Sequence, residues 1–357
     1  MSQVAAKDEI DLSEMESVEN QILKDRREQE AMYFQLYSRL EVQEWLLKDS
    51  VRNKAYREAI LHNKSFKNKV VLEVGCGLGM LSIFAAKAGA SRVIAVDGSS
   101  ITDYTSRIAE ENGYGSVITV VRGKVEDIEL PKDIQKVDIL ICDWMGHCLF
   151  LENMLESLIF ARDKWLVKGG LIFPDSAQLY LTAISGQDQD LGFWHDVHGF
   201  DLSAIRRRCA GKALVEHVTT GQVMSRVYLV KSLDLYAIRE GSSVFRSFYD
   251  LKVTRSGQVH GLLAYFDVGF SKCQRWVSFS TSPSAPWTHW NQTVFYLEAP
   301  LPVQAGESIK GVFGIQPSAE SIFDLEFDIY VDFEGKEKSV TSKQSFVLSS
   351  TLQLGVA

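Results

Sequence analysis

The sequence predicts an α/β domain followed by an antiparallel β domain. Strands and helices alternate between Val70 and Ile141, a rhythm typical of a parallel sheet whose strands are joined by helical crossovers. After Phe173-Pro174-Asp175 this alternation stops and period-two patterning replaces it. With 357 residues, the chain is also too long for one ordinary hydrophobic core. We therefore expect a charged N-terminal arm over residues 1–30, a first domain over 31–175 and a second domain over 176–357.

The region before the first strand is predicted to be helical. Ser17 to Ala31 is rich in charge and suits a solvent-facing helix or a mobile arm. From Glu41 to His62, apolar residues recur at roughly helical spacing and predict one or two helices packed on the α/β domain. These apolar positions are Val42, Leu46, Leu47, Val51, Tyr56 and Ile60.

The two domains differ in the period of their apolar residues. In the first, we expect strands at Val70 to Val74, Arg92 to Val96, Val117 to Val121 and Val137 to Ile141, and helices at Met80 to Ala88 and Ile101 to Glu111. In the second, apolar and acidic residues alternate from Phe323 to Phe333, which predicts a half-buried antiparallel strand. Between them, Gly192 to Val218 has helix-like patterning with exposed-looking aromatic residues, as a protruding arm would.

Composition limits the classes of function. The net charge of −8 argues against direct nucleic-acid binding and is compatible with a basic protein partner. The five cysteines lack the paired short spacings of zinc sites or disulfide frameworks, so we expect no bound metal. Met1 to Gln21 does not resemble a secretory signal and no window resembles a membrane span, so an intracellular protein is expected. Arg206-Arg207-Arg208 suits either a nuclear signal or a solvated helix face.

Two carboxylates, Asp143 and Glu152, stand nine residues apart directly after the strand Val137 to Ile141. Ligands of open α/β sheets bind beyond the carboxyl ends of the strands, so this acidic hairpin predicts a site for a cation, for which an arginine side chain is the natural candidate. The alternative is a solvated hairpin whose two acids are incidental.

A glycine loop, Gly75-Cys76-Gly77-Leu78-Gly79, joins the first strand to the next helix. Asp97 ends the second strand, where a carboxylate can accept both hydrogen bonds of a ribose diol. A dinucleotide fingerprint requires Gly or Ala at the position of Met80, so the loop favours S-adenosylmethionine over NAD and argues against an oxidoreductase. Glu73 lies within the strand end, and Glu126 could bind the adenine amino group or be a solvated loop acid.

Together these segments resemble the type I protein arginine N-methyltransferases, and the resemblance extends from Met32 to about Asp332. It is carried by Tyr33-Phe34-Gln35-Leu36-Tyr37, Val71 to Gly79, Asp143-Trp144-Met145-Gly146, Glu152-Asn153-Met154-Leu155, Trp165 to Gly170, Phe173-Pro174-Asp175 and Thr288-His289-Trp290. The resemblance implies a Rossmann-like S-adenosylmethionine methyltransferase domain, followed by an antiparallel β-barrel domain with a helical dimerisation arm at about residues 187–217. A small-molecule methyltransferase would leave the β half and the arm without a purpose.

The resemblance also implies roles for individual residues. Asp143 and Glu152 would be the active-site acids, His289 would lie in the loop that closes the pocket, and Asp49 would pair with His289. The S-adenosylmethionine site would consist of Tyr33, Phe34, Tyr37, Arg52, Glu73, Gly75, Gly77, Gly79, Asp97 and Glu126, and the substrate pocket would include Leu46, Met154 and Trp290. The implied protein is a cytoplasmic or nuclear homodimer that methylates glycine-arginine-rich or histone-like proteins, giving monomethyl and then asymmetric dimethyl arginine.

The chain departs from this family pattern near the expected active site. Asp143 replaces a glutamate, Leu46 a methionine and His147 a tyrosine, while Gln35-Leu36 replaces an acidic-small pair. A carboxylate shorter by one methylene shifts by about 1 Å, a displacement that costs on the order of a hundredfold in rate. These departures motivate a second hypothesis, in which a weak or inactive relative acts as a binding or scaffold dimer.

Overall fold

The computed structural model describes residues 12–186, 196–202 and 211–350. The helices are α1 (Leu12–Tyr37), α2 (Leu40–Lys48), α3 (Ser50–Leu61), α4 (Met80–Lys87), α5 (Thr102–Glu111) and α6 (Met154–Trp165). The strands of the first half are β1 (Val70–Val74), β2 (Arg92–Asp97), β3 (Ile118–Arg122), β4 (Val137–Cys142) and β5 (Leu166–Phe173). Those of the second half are β6 (Ser176–Ile184), β7 (Leu214–Glu216), β8 (Tyr228–Asp234), β9 (Phe245–Lys252), β10 (Gly257–Phe270), β11 (Val277–Ser280), β12 (Gln292–Val303), β13 (Ser308–Pro317), β14 (Leu325–Glu334) and β15 (Ser339–Leu348).

The first half contains the predicted parallel sheet, with strand order β3-β2-β1-β4-β5. The central strand β1 pairs with β2 through Val71 and Val93, and with β4 through Val71 and Ile139. Strands β1 and β4 are buried on both faces, which explains their nearly continuous apolar runs. The alternation of strands and helices predicted between residues 70 and 141 is confirmed, and the carboxyl ends of these strands lie along one edge.

The second half is antiparallel, as predicted, but its strands form two sheets rather than a closed barrel. One sheet has the order β7-β12-β10-β6-β8, with β11 also paired to β10, and the other has the order β15-β14-β13-β9. Within the described ranges, only isolated bridges link the edges of these sheets, from Lys212 to Val347 and from Ser225 to Val253. Closure of a barrel requires continuous ladders between all neighbouring strands, and the bridges at these two seams are too short to supply them.

The alternation predicted between Phe323 and Phe333 corresponds to β14. Phe327, Ile329 and Val331 are buried, whereas the residues between them reach solvent to varying degrees. Their buried faces pack with Phe295 of β12 and Phe313 of β13, so the two sheets share one aromatic core. The predicted half-buried strand is therefore confirmed.

Most of the predicted dimerisation arm at about residues 187–217 lies outside the described residues. At its described end, Leu214–Glu216 forms the strand β7, which pairs with Gln292 to Val294 of β12. The helix-like patterning of Gly192 to Val218 was therefore wrong for this short segment, because pairing with a sheet edge overrides a weak local pattern. Phe200, which we expected to be exposed, is 70% exposed.

The helices that precede the sheet are confirmed and continue further than predicted. The helix expected over Ser17 to Ala31 extends to Tyr37 as α1, and Glu41 to His62 forms α2 and α3. Asp49 separates α2 from α3 and caps α3, since its carboxylate accepts a hydrogen bond of 2.9 Å from the backbone N–H of Arg52. This cap places Asp49 and Arg52 at the edge of the sheet where the site lies.

None of the helices in the described residues combines the length and the apolar character that a bilayer-crossing helix requires.

Gly311 of β13 lies where Tyr249 of β9 crosses the sheet to donate a hydrogen bond of 2.8 Å to the carbonyl of Tyr330. A Cβ atom at position 311 would lie 1.8 Å from that carbonyl oxygen and 2.6 Å from the Tyr249 hydroxyl. We therefore expect G311A to lower the free energy of unfolding by about 1–3 kcal/mol through overpacking. Urea denaturation of wild type and variant measures the effect.

The matched control is G314A in the same strand, where the nearest atom to a new Cβ is 3.3 Å away. This change should be much milder, and equal losses at positions 311 and 314 would contradict the steric explanation.

Candidate functional site

A cavity of about 270 Å³ lies at the carboxyl ends of β1, β2 and β4. Almost all of the predicted site residues line it. The two that do not are Gly79, which immediately precedes α4 in a left-handed conformation, and Asp49, which is hydrogen-bonded to His289. The cavity therefore brings together residues that are more than 250 positions apart in sequence, from Tyr33 to His289.

The glycine loop forms the floor of the cavity beside Asp97. Gly75, Gly77 and Gly79 all have positive φ angles, which L side chains rarely adopt. One oxygen of Asp97 accepts the backbone N–H of Gly77 at 2.9 Å, and the other accepts the N–H and hydroxyl of Ser99. The carboxylate is thus held in a fixed orientation at the end of β2, where it retains accepting capacity for a further donor.

Phe34 covers the edge of the sheet next to Asp97. A Cβ atom at Gly98 would lie 2.3 Å from the Phe34 ring, so only glycine permits this approach. Glu126 faces the same region and accepts a hydrogen bond of 2.7 Å from Ser157. An aromatic face, two carboxylates and a loop without side chains are groups that could hold a nucleoside. The site therefore fits the S-adenosylmethionine expected from the sequence.

Asp143 is tightly engaged at the end of β4. Its Oδ2 atom lies 2.5 Å from Nε of Arg52, and its Oδ1 atom accepts a hydrogen bond of 3.0 Å from the Tyr56 hydroxyl. Arg52 is 8% exposed, so the ion pair is shielded from water and stronger than a surface pair. Asp143 thus links α3 to the hairpin that it begins.

Glu152, at the other end of the hairpin, is bound by two tyrosines of α1. The hydroxyls of Tyr37 and Tyr33 donate to its Oε2 atom at 2.6 and 3.1 Å. Burial raises the pKa of Glu152 to about 7, although these two hydrogen bonds act in the opposite direction. The carboxyl group of Glu152 therefore ionises near neutral pH, and an approaching cation would favour its ionised form.

His289 and Asp49 form the predicted pair. A single oxygen of Asp49 accepts both the His289 ring Nδ1–H at 2.7 Å and the His289 backbone N–H at 2.9 Å. Burial lowers the pKa of His289 below its ordinary value, against the opposing effect of Asp49. Because a carboxylate only accepts, the neutral ring carries its proton on Nδ1 and leaves Nε2 as a proton acceptor.

Reciprocal hydrogen bonds join the acidic hairpin to the His289 loop. Trp290 donates from Nε1 to the carbonyl of Met145 at 2.9 Å, and the His147 ring Nδ1 lies 3.0 Å from the carbonyl of Trp290. Burial lowers the pKa of His147 to about 4, so this ring is neutral and donates to that carbonyl at physiological pH. The His147 that replaces the family's tyrosine thus has a structural partner.

Glu73 differs from the other acids of the cavity. It is 1% exposed and accepts a short hydrogen bond from Ser82 of α4. Burial raises the pKa of Glu73 to about 8, so this carboxyl is mostly protonated at neutral pH. The apolar side chains of Leu46 and Met154, both predicted for the substrate pocket, also line the cavity.

Sequence reasoning missed several groups of the site. Tyr56 was interpreted only as an apolar helical position, yet its hydroxyl binds Asp143. Phe323 was assigned to a strand, but it precedes β14 and its ring stacks on Tyr33. Residues of the cavity wall that no motif indicated are Glu30, Gln43, Trp45, Lys124, Glu156, Ser157 and Ile322. One signal for Phe323 was present in the sequence: the apolar residues Ile322 and Phe323 come before the strand β14, which begins at Leu325.

Two family models match the chain. The model described as "Methyltransferase domain" matches residues 71–170, and that described as "Arginine methyltransferase oligomerization subdomain" matches residues 175–337. The boundary between them coincides with the change of period seen in the sequence.

Curated relatives match over most of the chain. It is 46% identical over 308 residues to protein arginine N-methyltransferase 8-B of Danio rerio, a match that covers 85% of this chain and 73% of the relative. It is 42% identical over 318 residues to protein arginine N-methyltransferase 1 of Chlamydomonas reinhardtii, which covers 88% of this chain and 92% of the relative.

Solved structures match the fold. The Trypanosoma brucei PRMT1 enzyme-prozyme heterotetrameric complex with AdoHcy superposes with a TM-score of 0.84 at 37% identity, covering 88% of this chain and 99% of that chain. Arabidopsis thaliana protein arginine methyltransferase 10 superposes with a TM-score of 0.77 at 27% identity, covering 87% and 98%.

The buried carboxyl of Glu73 should make stability depend on pH. Because the pKa of Glu73 in the folded state, about 8, exceeds its ordinary value, the folded state favours the protonated form, and stability is lost as pH rises from about 4.5 through 8. Gln resembles the protonated form, so E73Q should remove this loss and gain on the order of a few kcal/mol over wild type at pH 8. Denaturation of ligand-free wild type and E73Q at pH 5, 7 and 8.5 measures this difference in stability.

The exposed Glu111 provides the control, because E111Q should leave the pH profile of wild type unchanged. Parallel profiles for wild type and E73Q would contradict the assigned protonation state.

Proposed function

The chain belongs to the protein arginine N-methyltransferase family, and from this membership we infer that the cavity described above transfers methyl groups from S-adenosylmethionine to guanidinium nitrogens of protein arginines. The observation that carries the assignment of this cavity is the convergence of Asp143, Glu152 and the His289–Asp49 pair beside the glycine loop. A cation-binding wall and a proton acceptor thus lie next to the region that suits the methyl donor.

The donor side of the proposed active site is formed by residues of the first half. S-adenosylmethionine supplies an electrophilic methyl group on a sulfonium. Asp97 and Glu126 would accept hydrogen bonds from its ribose and adenine, while Phe34 would cover the nucleoside. Arg52 donates through Nε to Asp143 and through Nη1 to Asn53. Its remaining N–H groups are sufficient to bind the carboxylate of S-adenosylmethionine as well.

The acceptor side depends on the two carboxylates. A guanidinium is a delocalised cation whose nitrogens are poor nucleophiles and are not deprotonated at neutral pH. Glu152 and Asp143 would hold its fork by charge-assisted hydrogen bonds and aim one nitrogen at the methyl group. They also draw positive charge to the other nitrogens, which increases the nucleophilicity of the nitrogen that is aimed.

The two acids are unequal in this role. Asp143 is already paired with Arg52 and Tyr56, whereas Glu152 has only tyrosine hydroxyls, which are neutral partners. Glu152 would therefore carry most of the attraction for the substrate cation, and Asp143 would connect the acceptor site to the donor site through Arg52. His289, whose Nε2 is free to accept, would take up the proton released by the methylated nitrogen.

We also propose a homodimer that acts in the cytoplasm or nucleus on glycine-arginine-rich or histone-like proteins, giving monomethyl and then asymmetric dimethyl arginine. The support is the match of residues 175–337 to an oligomerization subdomain, together with the acidic net charge of −8, which suits basic substrates. Nothing in the described site or in the comparisons favours the hypothesis of an inactive scaffold.

Mass spectrometry of glycine-arginine-rich and histone-tail peptides tests the function. We expect a mass gain of one methyl group on arginine, followed by a second on the same nitrogen, when purified chain and S-adenosylmethionine are supplied. Peptides with lysine in place of arginine are the control and should remain unmodified. Unmodified arginine at high enzyme concentration, with the donor demonstrably bound, would refute the proposal.

Catalysis should depend on the ionisation of Glu152. Since its pKa in the free cavity is about 7, kcat/KM for an arginine peptide should rise with pH through about 7 as the carboxylate forms. E152Q should remove this rise and lower kcat/KM on the order of a hundredfold, because an amide cannot pair with the substrate cation. Steady-state rates at several pH values, with donor affinity measured in parallel, check both effects. An unchanged pH profile in E152Q would exclude Glu152 as the titrating group.

Lengthening Asp143 should increase the rate of methylation. In D143E, the added methylene extends the reach of the carboxylate by about 1 Å, to that of the family's glutamate, and we expect kcat to rise about tenfold. The affinity for S-adenosylhomocysteine reports whether the Arg52 pair has survived the change. A fall in kcat with intact affinity would show that the shorter acid is adapted to this site.

A further inference from the structure

The loop between β13 and β14, residues 318–324, crosses from the second half of the chain to the cavity. Ile322 and Phe323 line the cavity wall. No motif of the sequence and no role assigned above accounts for this approach. The loop makes contacts with both the lid segment, defined here as residues 29–37 of α1, and the acidic hairpin.

The contacts with the lid segment occur at two levels. The Gln29 side chain donates to the carbonyl of Glu320 at 2.8 Å and accepts from the backbone N–H of Ile322 at 3.3 Å. One helical turn further along, the rings of Tyr33 and Phe323 lie parallel, with centroids 4.4 Å apart and an interplanar angle of 6°. The stack fixes the plane of the Tyr33 ring, whose hydroxyl reaches Glu152 at 3.1 Å.

The contact with the acidic hairpin is made by the main chain of the same residue. The backbone N–H of Glu152 donates to the carbonyl of Phe323 at 3.0 Å. Glu152 has a φ of 73°, a left-handed conformation that a glutamate adopts only when its surroundings impose it. Phe323 is thus in contact with the hairpin acid through its carbonyl and with the tyrosine that holds this acid through its ring.

We infer that Phe323 is a positioning residue, which closes the lid segment over the bound donor and, through Tyr33, orients Glu152 towards the substrate cation. The inference rests on the proposed function for the role of Glu152. The ring acts on the lid, so its removal should affect retention of the donor first. The carbonyl acts on Glu152 and remains when only the side chain is changed, so the backbone of the hairpin should keep its conformation in side-chain variants.

The test compares F323A with F323Y. F323A removes the stack and should release S-adenosylhomocysteine roughly tenfold faster than wild type, with a proportionate rise in KM for S-adenosylmethionine and a smaller fall in kcat. F323Y retains an aromatic face and should restore the wild-type release rate. Stopped-flow chase of bound S-adenosylhomocysteine measures release without any methyl transfer, and thermal denaturation verifies that each variant is folded.

A matched control is F248A. Phe248 is 79% exposed on β9 and has no ring contact with the lid segment, so its removal should leave release and KM unchanged.

A double-mutant cycle with Y33A provides a readout that general destabilisation would not reproduce. Because both single changes remove the same stack, Y33A/F323A should release S-adenosylhomocysteine no faster than the faster single variant.

Several outcomes would overturn the inference. Release from F323A at the wild-type rate, release from F323Y as fast as from F323A, or multiplication of the two effects in Y33A/F323A would each show that the stack does not hold the lid. If the release rates follow expectation but wild type methylates no arginine peptide, the lid contact stands and the proposed function fails.

Discussion

A carboxylate that is removed from water must be given hydrogen-bond donors, and this requirement organises the whole cavity. Asp49 is satisfied by His289 and the N-terminus of α3, Asp143 by Arg52 and Tyr56, and Glu152 by the two tyrosines of α1. Each acid thus has at least one hydrogen-bond donor from an element that is distant in sequence from its own. The donors determine the orientation of the acids, and the acids in turn hold the surrounding helices in place.

The parallel sheet supplies the positions from which these acids project. Strands β1, β2 and β4 end at one edge, so Gly75, Asp97 and Asp143 emerge close together although they are far apart along the chain. The α1 helix and the β13–β14 loop complete the wall of the cavity. A water-poor space formed in this way strengthens the interactions between charges, which suits a reaction whose substrate is a permanent cation.

Periodicity and spacing were sufficient to predict the sheet and the main acids. The runs at Val70 to Val74 and Val137 to Ile141 are buried on both faces, so their sequence patterns are strong. The contacts of Tyr56 and Phe323 could not be predicted, because an aromatic residue at an apolar position gives no indication of whether its edge meets core or cavity. The lack of continuous pairing between the two sheets of the second half could not be predicted either. Strand patterns specify which face of a strand is buried, but they do not specify which strand edges pair.

The paired hydrogen bonds between His147, Trp290 and Met145 have a consequence for how such a protein can be divided. They connect the first half of the chain to the second within the proposed active site, to which the hairpin would contribute the acids and the loop the histidine. Neither half, expressed as a fragment, would contain a complete set of reacting groups. On the proposed assignment, truncation at residue 175 should abolish activity, and recombination between relatives should exchange the hairpin and the Trp290 loop as one unit.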